Sequence, residues 1–234
     1  MSSQHMPVKH FRIVGAGLIG TSIALGLASH GHTVDIDDSD ANARKLARDL
    51  VGKNLATKEP DIVIVATPPD SIFNVLQTEY QLHPQAVFID VGSVKTNLLH
   101  DVESFPEISK RFVGTHPMAG REFSGAASAQ SDLFQGRAWI LTRTSTSAPE
   151  VVNVVTQFVE TLGATAYEMD AKSHDQLLAR ISHLPQALST VLAGSLVGIG
   201  NGMELSGQGL RDTTRLADSD APLWSEIFLQ NREA

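Results

Sequence analysis

The residues of this chain that are best suited to chemistry lie at positions 114–125, where the sequence reads GTHPMAGREFSG. His116 stands there between a glycine turn and a proline, a setting that favours a loop over a packed helix. Arg121 and Glu122 follow within reach of it. A histidine exchanges protons near neutral pH, and an arginine beside it suits an anionic substrate. The pattern indicates a general acid or base, and a turn histidine bonded to the backbone is the alternative.

A glycine fingerprint lies upstream, at residues 15–20, with the sequence GAGLIG. It follows a predicted strand over residues 11–14 and opens a predicted helix over residues 18–30, the context in which this motif binds a dinucleotide. The glycines allow a tight turn and a close approach to pyrophosphate, and the helix N-terminus offers N–H groups to the phosphates. A glycine turn without a ligand is the alternative. The predicted contacts are Gly15, Gly17, Leu18, Ile19 and Gly20.

The acidic residues after the second predicted strand bear on which cofactor is expected. Asp38 lies about 20 residues beyond the glycines, where dinucleotide-binding folds place an acid on the adenosine ribose. It is expected on the same strand face as Val34 and Ile36, and Asp37 is the near alternative. No arginine follows immediately to accept a 2′-phosphate, so the sequence favours NAD over NADP.

Two more polar segments follow predicted strands. Thr67 and Pro68 end the third strand, and Ser93 and Lys95 follow the fourth. The carboxyl ends of parallel strands share one edge of a sheet, where ligands bind. Ser93 and Lys95 are therefore expected to face the nicotinamide half of the cofactor. A helix N-cap is the alternative role for Ser93, and the two roles are compatible.

Composition narrows the range of functions. The chain has 234 residues, of which 42% are hydrophobic and 19% charged, and its formal net charge is −8. This is a globular composition without a basic stripe, so nucleic-acid binding is not expected. No segment approaches the length of a membrane span. The absence of cysteine excludes disulfides and cysteine-ligated zinc and fits a cytoplasmic protein.

Strand and helix patterns alternate through the first 170 residues. Near-continuous β-branched runs predict buried parallel strands, and apolar residues at intervals of three and four predict helices. The alternation predicts a Rossmann-like, doubly wound α/β fold with a mostly parallel sheet. The predicted strands are residues 11–14, 33–37, 61–67, 86–90, 111–114, 137–142 and 164–169, and the predicted helices are residues 18–30, 41–51, 71–77 and 149–162.

The pattern changes after Asp170, where only helical and glycine-rich segments follow. A helix kinked at Pro185, a glycine-rich loop and further helices are predicted, over residues 172–196, 198–209 and 211–229 in turn. We therefore expect an NAD-binding domain over residues 1–170, with residues 1–8 as a disordered leader. A short all-helical domain for substrate binding and dimerisation is expected over residues 171–234.

Read together, these segments resemble the prephenate/arogenate dehydrogenase family of tyrosine biosynthesis. They occur in the family's order and span nearly the whole chain. The sequences DVGSVK, THPMAGRE and GLRDTTRLA are specific to the family, whereas GAGLIG is shared by many dehydrogenases. The matching residues are 15–20, 90–95, 115–122, 182–185 and 209–217, followed by Trp224.

The resemblance implies an NAD-dependent oxidative decarboxylation of prephenate to 4-hydroxyphenylpyruvate, or of arogenate to tyrosine. Hydride leaves ring carbon C4 for NAD⁺ while a base receives the proton of the C4 hydroxyl. Loss of CO₂ from C1 then makes the ring aromatic and the step irreversible. By the family pattern, His116 is the base or hydrogen-bond acceptor at that hydroxyl, and Ser93 orients it.

The resemblance also implies the substrate contacts. Arg215 matches the arginine that grips the ring carboxylate, since its planar fork can bind a carboxylate through two parallel bonds. Arg211 lies one helical turn earlier and is expected on the same face. His183 matches a helical histidine near the substrate side chain, and Glu122 is expected to pair with an arginine and shape the entrance. The alternatives are a solvated charged face for the arginines, a core histidine at a proline kink, and a surface ion pair for Glu122.

The sequence departs from the family at two places. The segment over residues 52–57 is short where the family has a further strand, which affects the expected adenine pocket. The chain stops at Ala234, where family members continue with helices that build a dimer, so a compact variant or a truncated chain is expected. So short a helical domain would expose apolar surface as a monomer, which predicts a homodimer.

Two other functions share the fold and the fingerprint. A β-hydroxyacid dehydrogenase or related reductase would depend on a lysine in the first helix after the domain junction, an arrangement that Lys172 does not match well. A non-catalytic NAD-binding sensor module is the second alternative. No metal site is expected, because His174 and His183 would lie about 180° apart around a helix.

Overall fold

The computed structural model describes residues 9–52, 59–120 and 125–234. The chain divides into two compact units, the first ending at His174 and the second formed by Asp175–Ala234. The division falls shortly after the boundary that the sequence predicts at residue 170. The short segment before Asp61, which bears on the adenine pocket, lies largely outside the described residues.

The first unit contains a seven-stranded sheet with the strand order β2-β1-β3-β4-β5-β6-β7. The first five strands are parallel, β6 runs antiparallel to β5, and β7 is parallel to β6. The predicted doubly wound, mostly parallel fold is thus confirmed. The strands are β1 (His10–Val14), β2 (Thr33–Asp37), β3 (Ile62–Val65), β4 (Val87–Asp90), β5 (Phe112–Pro117), β6 (Ala138–Arg143) and β7 (Thr165–Glu168).

Helices cover both faces of the sheet because its central strands are apolar on both sides. All four residues of β3 are buried, as expected for a strand between two helical layers. Helices α1, α2 and α6 bury one face, with Leu27 and Phe158 packed against Phe11, and α3, α4 and α5 bury the other. The helices are α1 (Leu18–Ser29), α2 (Ala41–Val51), α3 (Ile72–Leu82), α4 (Thr96–Glu103), α5 (Pro106–Ser109) and α6 (Pro149–Thr161).

One sequence-based expectation is wrong at the most important residue, because His116 lies in a strand and not in a loop. β5 continues as far as Pro117, and His116 pairs with Ile140 of the antiparallel strand β6. Glycine and proline normally mark the ends of strands, which hid this element. Here Gly114 is tolerated within the strand, and Pro117 is its last residue. A strand fixes the direction of the imidazole more firmly than a loop would.

The C-terminal helices also differ from the prediction. The expected single helix over residues 172–196 is divided by a turn of π-helix over Ala179–His183, and Pro185 lies in the first turn of the helix that follows, where its missing N–H is not needed. The expected glycine-rich loop contains a 3₁₀ turn at Gly200–Leu205, and a second follows at Arg215–Asp218. The α-helices are α7 (Ala171–Leu178), α8 (Leu184–Ser195), α9 (Gln208–Thr214) and α10 (Ala221–Gln230).

The interior of the second unit is unusually polar. Among its described side chains, only Leu178 and Ile227 are buried and apolar. Hydrogen bonds do much of the positioning instead: Gln186 Nε2 donates to the Leu216 carbonyl over 2.7 Å. The buried polar residues are Asp175, His183, Gln186, Ser189 and Asn231. A domain of this size that buries so little apolar surface gains little stability from its own core.

No helix in the described ranges combines the length and the apolar character that a bilayer crossing requires.

Candidate active site

The glycine loop after β1 is shaped by close packing at two glycines and by open space at the third. Gly15 has φ +113°, and a Cβ there would lie 2.2 Å from the Ala66 carbonyl oxygen. A Cβ at Gly20 would lie 2.0 Å from the Gly15 oxygen. At Gly17, by contrast, no described atom other than those of the adjacent chain lies within 4 Å of the Cβ position. Gly17 immediately precedes α1, so the missing side chain leaves the helix N-terminus open to a phosphate.

The carboxylate of Asp38 braces this loop. β2 ends at Asp37, so Asp38 lies beyond the strand and not, as expected, on the strand face of Val34 and Ile36. Its Oδ2 accepts a hydrogen bond from the Ala16 N–H over 2.6 Å, and its Oδ1 accepts one from the Asp40 N–H over 2.8 Å. The acid is therefore held at the adenosine end of the glycine loop, and its contact with a ribose stays a prediction.

Asp37 is held by two arginines. Its Oδ1 lies 3.2 Å from Arg44 Nη1, and its Oδ2 lies 3.4 Å from Arg12 Nη2. Partial burial opposes ionisation, but hydrogen bonds from Arg44 and the Asp38 N–H, together with both positive charges, keep the pKa of Asp37 below its usual range. Asp37 is thus an anion at neutral pH.

Arg44 is a residue of this region that sequence reasoning missed. It comes from the first turn of α2, and its Nη1 also donates to the Asp38 carbonyl over 3.1 Å. The sequence rule concerns an arginine immediately after the acids, whereas here a residue of the next helix reaches the same place. Because the Asp37 carboxylate already engages this guanidinium, the arrangement still favours NAD over a cofactor with a 2′-phosphate.

The end of β3 completes the cofactor edge. The Thr67 hydroxyl oxygen is buried and has no hydrogen-bond partner among the described residues. Such unpaired groups are uncommon in folded proteins and often await a ligand. The Thr67 backbone nitrogen lies 3.1 Å from the Cβ position of Gly15, so this hydroxyl belongs to the glycine-loop region. Pro68, the next predicted contact, is exposed. These residues fit a bound dinucleotide.

Asp90, the last residue of β4, is a buried junction between two parts of the site. Its Oδ2 accepts hydrogen bonds from the Gly92 N–H, at 2.8 Å, and from the Lys95 ammonium, and its Oδ1 accepts from the Thr115 N–H at 3.1 Å. Asp90 and Lys95 are both fully buried. The carboxylate therefore ties the loop after β4 to the strand that carries His116.

This junction changes the interpretation of Lys95 and Ser93. Inside the loop, the positive charge of Lys95 is balanced by the Asp90 carboxylate. The structure therefore gives Lys95 a role in stabilising the loop and offers no support for its predicted contact with nicotinamide. Ser93 lies half-buried between β4 and α4. Its alternative role as a helix N-cap is wrong, because α4 begins at Thr96 with Lys95 in the cap position. The predicted contact of Ser93 with His116 or the substrate stays a prediction.

His116 meets a second histidine that sequence reasoning did not place in the site. Its Nδ1 lies 2.9 Å from His174 Nε2, and the ring centroids are 5.1 Å apart at an interplanar angle of 63°. His174 belongs to the first turn of α7 and is fully buried. The sequence brings His174 to attention only as a possible metal ligand and gives no sign that it pairs with a strand residue far away in the chain. Within the described ranges, no group of three or more metal-ligating side chains occurs.

In the second unit, His183 is buried and held by an amide. Asn231 Nδ2 donates to the Asp175 carbonyl and lies 3.0 Å from His183 Nδ1. Because the carbonyl can only accept, the amide orientation is fixed, and Nδ1 of His183 must be an acceptor. Neutral His183 therefore carries its proton on Nε2. The Trp224 ring packs edge-on against the same imidazole, with the ring centroids 6.0 Å apart.

Arg211 and Arg215 of the second unit are both exposed. Arg211 lies in α9, and Arg215 opens the 3₁₀ turn that follows, so the expected single helix face is divided between two elements. Between them, Asp212 Oδ1 accepts a hydrogen bond from Gln208 Nε2 over 2.7 Å. Glu122 and Arg121 lie outside the described residues. The predicted substrate contacts of Arg211, Arg215, His183 and Glu122 stay predictions.

Two family models match consecutive parts of the chain. One, described as prephenate dehydrogenase, nucleotide-binding domain, matches residues 23–168, and the other, described as prephenate dehydrogenase, dimerization domain, matches residues 170–234. The prephenate dehydrogenase of Lactococcus lactis subsp. cremoris is 30% identical over 240 residues, which cover 97% of this chain and 66% of that relative. The chain thus spans just under two thirds of the relative's length.

Two solved structures are similar at the level of sequence as well as fold. Prephenate dehydrogenase from A. aeolicus, in complex with hydroxyphenyl propionate and NAD⁺, is 30% identical with a TM-score of 0.87, covering 97% of this chain and 84% of its own. Synechocystis arogenate dehydrogenase is 28% identical with a TM-score of 0.78, covering 96% of this chain and 84% of its own.

Two glycine substitutions should separate cofactor binding from folding. In Gly17→Ala the new methyl group enters open space at the helix N-terminus, so we expect an unchanged melting temperature but a loss of NAD⁺ affinity. In Gly20→Ala the methyl group collides with the Gly15 carbonyl, so we expect destabilisation by about 1–3 kcal/mol. Thermal melts and NAD⁺ titration by calorimetry measure both. Full NAD⁺ affinity in a stable Gly17→Ala protein would argue against this loop as the pyrophosphate site.

Proposed function

Because this chain belongs to the prephenate dehydrogenase family, we propose that it catalyses the NAD-dependent oxidative decarboxylation of prephenate or arogenate. The observation that carries this proposal is the position of His116. Its strand, β5, ends at the same edge of the sheet as β1 and β3, whose following residues form the cofactor site. Family membership favours this reaction over that of a β-hydroxyacid dehydrogenase. We also propose that the protein is located in the cytoplasm.

The described residues of the first unit have distinct parts in this reaction. Bound NAD⁺ supplies the hydride acceptor. His116 Nε2 points away from the His174 contact and takes the proton of the ring C4 hydroxyl, a task suited to an imidazole at neutral pH. Ser93, from the loop that Asp90 holds, contacts that hydroxyl or the imidazole. The C1–CO₂ bond then breaks and its electron pair completes the aromatic ring, and the C4 oxygen takes back the proton that His116 had received.

The second unit contributes the substrate contacts in this proposal. Arg215 binds the ring carboxylate through its planar fork, and Arg211 adds positive charge for the second carboxylate. His183 lies near the side chain, and Glu122 pairs with an arginine at the entrance. The substrate carries two anionic groups, which explains why a chain with a net charge of −8 would place two arginines within one helical turn of each other.

A turnover assay distinguishes an enzyme from an NAD-binding sensor module. With NAD⁺ and either prephenate or arogenate, the full chain should produce reduced nicotinamide, which is followed by its absorbance, together with an equal amount of CO₂. Comparing the two substrates in one assay shows which side chain is preferred. Binding of NAD⁺ without turnover of either substrate would favour the sensor and contradict the proposal.

The substitution His116→Asn tests the base. We expect kcat to fall by about 10²–10⁴-fold, because the amide cannot take up the hydroxyl proton, while NAD⁺ affinity stays nearly unchanged. His100→Asn is the matched control, since His100 is exposed on α4 of the same unit. Turnover at the wild-type rate in His116→Asn would remove His116 from the base role.

The substitution Arg215→Ala tests the carboxylate contact. We expect KM to rise steeply, with a loss of about 2–4 kcal/mol in substrate binding for a charge-assisted paired contact. Arg215→Lys should recover only part of the loss, because a lysine keeps the charge but not the fork. Arg232→Ala, at an exposed arginine of the same unit, is the control. An unchanged KM in Arg215→Ala would identify Arg215 as part of a solvated charged face.

We also propose that the second unit forms a homodimer through α8. Leu184, Leu188 and Val191 are 54%, 62% and 71% exposed, and their spacing places them on one side of the helix. An exposed apolar surface of this kind, on a unit with little apolar interior, is typical of a protein–protein interface. A second copy of the chain is the partner indicated, since residues 170–234 match a family model described as a dimerization domain.

The oligomeric state tests this surface directly. Light scattering coupled to gel filtration should give the mass of a dimer for the wild type at micromolar concentration and a monomer for Leu188→Glu. Leu82→Glu is the control, because Leu82 is comparably exposed, at 59%, but lies on α3 of the first unit. A wild-type monomer, or a dimer that Leu188→Glu leaves intact, would contradict the proposed interface.

A further inference from the structure

His174 is placed for a specific task by the elements around it. Asp170 follows β7 and caps α7, its Oδ1 accepting from the Ser173 N–H over 2.9 Å, while its carbonyl accepts from the His174 N–H over 2.9 Å. His174 is therefore fixed in the first turn of a capped helix. Its ring is fully buried and directs Nε2 at Nδ1 of His116. Both histidines belong to the first unit.

The contact between the two rings restricts where protons can lie. Of two imidazole nitrogens 2.9 Å apart, one must carry a proton and the other a lone pair, because two N–H groups would repel each other and two lone pairs would leave the contact without a hydrogen bond. For neutral rings this leaves two arrangements. If His174 donates, His116 carries its proton on Nε2 and cannot act as a base there. If His116 donates, its Nε2 carries the lone pair and can act as a base.

We propose that His174 is a positioning residue that accepts the Nδ1–H of His116 and thereby makes Nε2 of His116 the base. In this arrangement neutral His174 carries its own proton on Nδ1. When the substrate O–H bond breaks and its proton forms a bond to His116 Nε2, the resulting imidazolium keeps its Nδ1–H bond to His174, which becomes charge-assisted and stronger. This inference rests on the proposed function, because the base role of His116 Nε2 selects this arrangement over the other, but the proton positions can be measured independently of turnover.

The proton positions can be measured without any turnover. In the full-length protein labelled with ¹⁵N-histidine, long-range ¹H–¹⁵N spectra distinguish protonated from unprotonated ring nitrogens, and the His116 signals are identified by their loss in His116→Asn. Above the pH at which the rings become neutral, we expect a protonated Nδ1 and an unprotonated Nε2 for His116. A proton on Nε2 of His116 would overturn the inference, whether or not the protein turns over prephenate or arogenate.

Two substitutions at His174 test its effect on the reaction. His174→Leu removes the acceptor, so we expect kcat to fall by about 10–10²-fold, less than when a charged orienting group is removed from a hydrolase triad, with KM and NAD⁺ affinity little changed. His174→Gln keeps a side-chain oxygen that can accept from Nδ1–H and should recover most of that loss. His100→Leu, at an exposed position, is the control.

Two results would contradict the proposed role of His174. Wild-type kcat in a folded His174→Leu protein, with Nε2 of His116 still unprotonated, would show that His174 does not set the proton positions. Equal losses in His174→Leu and His174→Gln, accompanied by loss of NAD⁺ affinity, would indicate a packing role and contradict the proposal. If His174→Leu does not fold, the wild-type spectra and His174→Gln still decide between the two arrangements.

Discussion

Asp90 is fully buried, and its carboxylate holds together the parts of the first unit on which the proposed chemistry depends. One oxygen accepts from the Gly92 N–H and the Lys95 ammonium, and the other accepts from the Thr115 N–H. A buried ion pair adds little stability compared with apolar residues of the same shape, but removing one partner leaves an uncompensated charge. The Asp90–Lys95 pair instead has a positioning role, because it holds the loop that carries Ser93 against the strand that carries His116.

The strand order of the sheet explains why these side chains meet at one edge. The carboxyl ends of β1, β3 and β4 lie at one edge because these strands are parallel, and the glycine loop, Thr67 and Asp90 follow them in turn. β5 extends beyond its pairing with β4 and is supported on its other side by the antiparallel strand β6. The extension carries His116 to this same edge, where the cofactor is proposed to bind, and His174 contacts it from α7.

The sequence predicts what depends on local pattern and misses what depends on long-range pairing. The glycine fingerprint and the alternating apolar runs specify the Rossmann-like sheet, since burial and helix periodicity are local signals. The strand that contains His116 was missed because its pairing with Ile140 is a tertiary contact that overrides the glycine and proline signals. The sequence suggests a cofactor contact for Lys95, because it shows a lysine next to a strand end but does not show that the buried Asp90 carboxylate binds that lysine. His174 was missed because no spacing rule connects it with His116.

In the second unit, one helix connects the proposed dimer surface with the proposed substrate arginine. α8 exposes Leu188 on one side, while on its buried side Gln186 Nε2 donates to the Leu216 carbonyl and Ser189 Oγ accepts from the Ala217 N–H. Those two bonds hold the 3₁₀ turn that begins with Arg215. A unit with so little apolar interior gains stability when a partner covers α8, because binding to the folded form alone shifts the folding equilibrium. If the proposed dimer forms through α8, it would also order the turn that presents Arg215, so the proposed interface and the proposed substrate contact would be linked through the same helix.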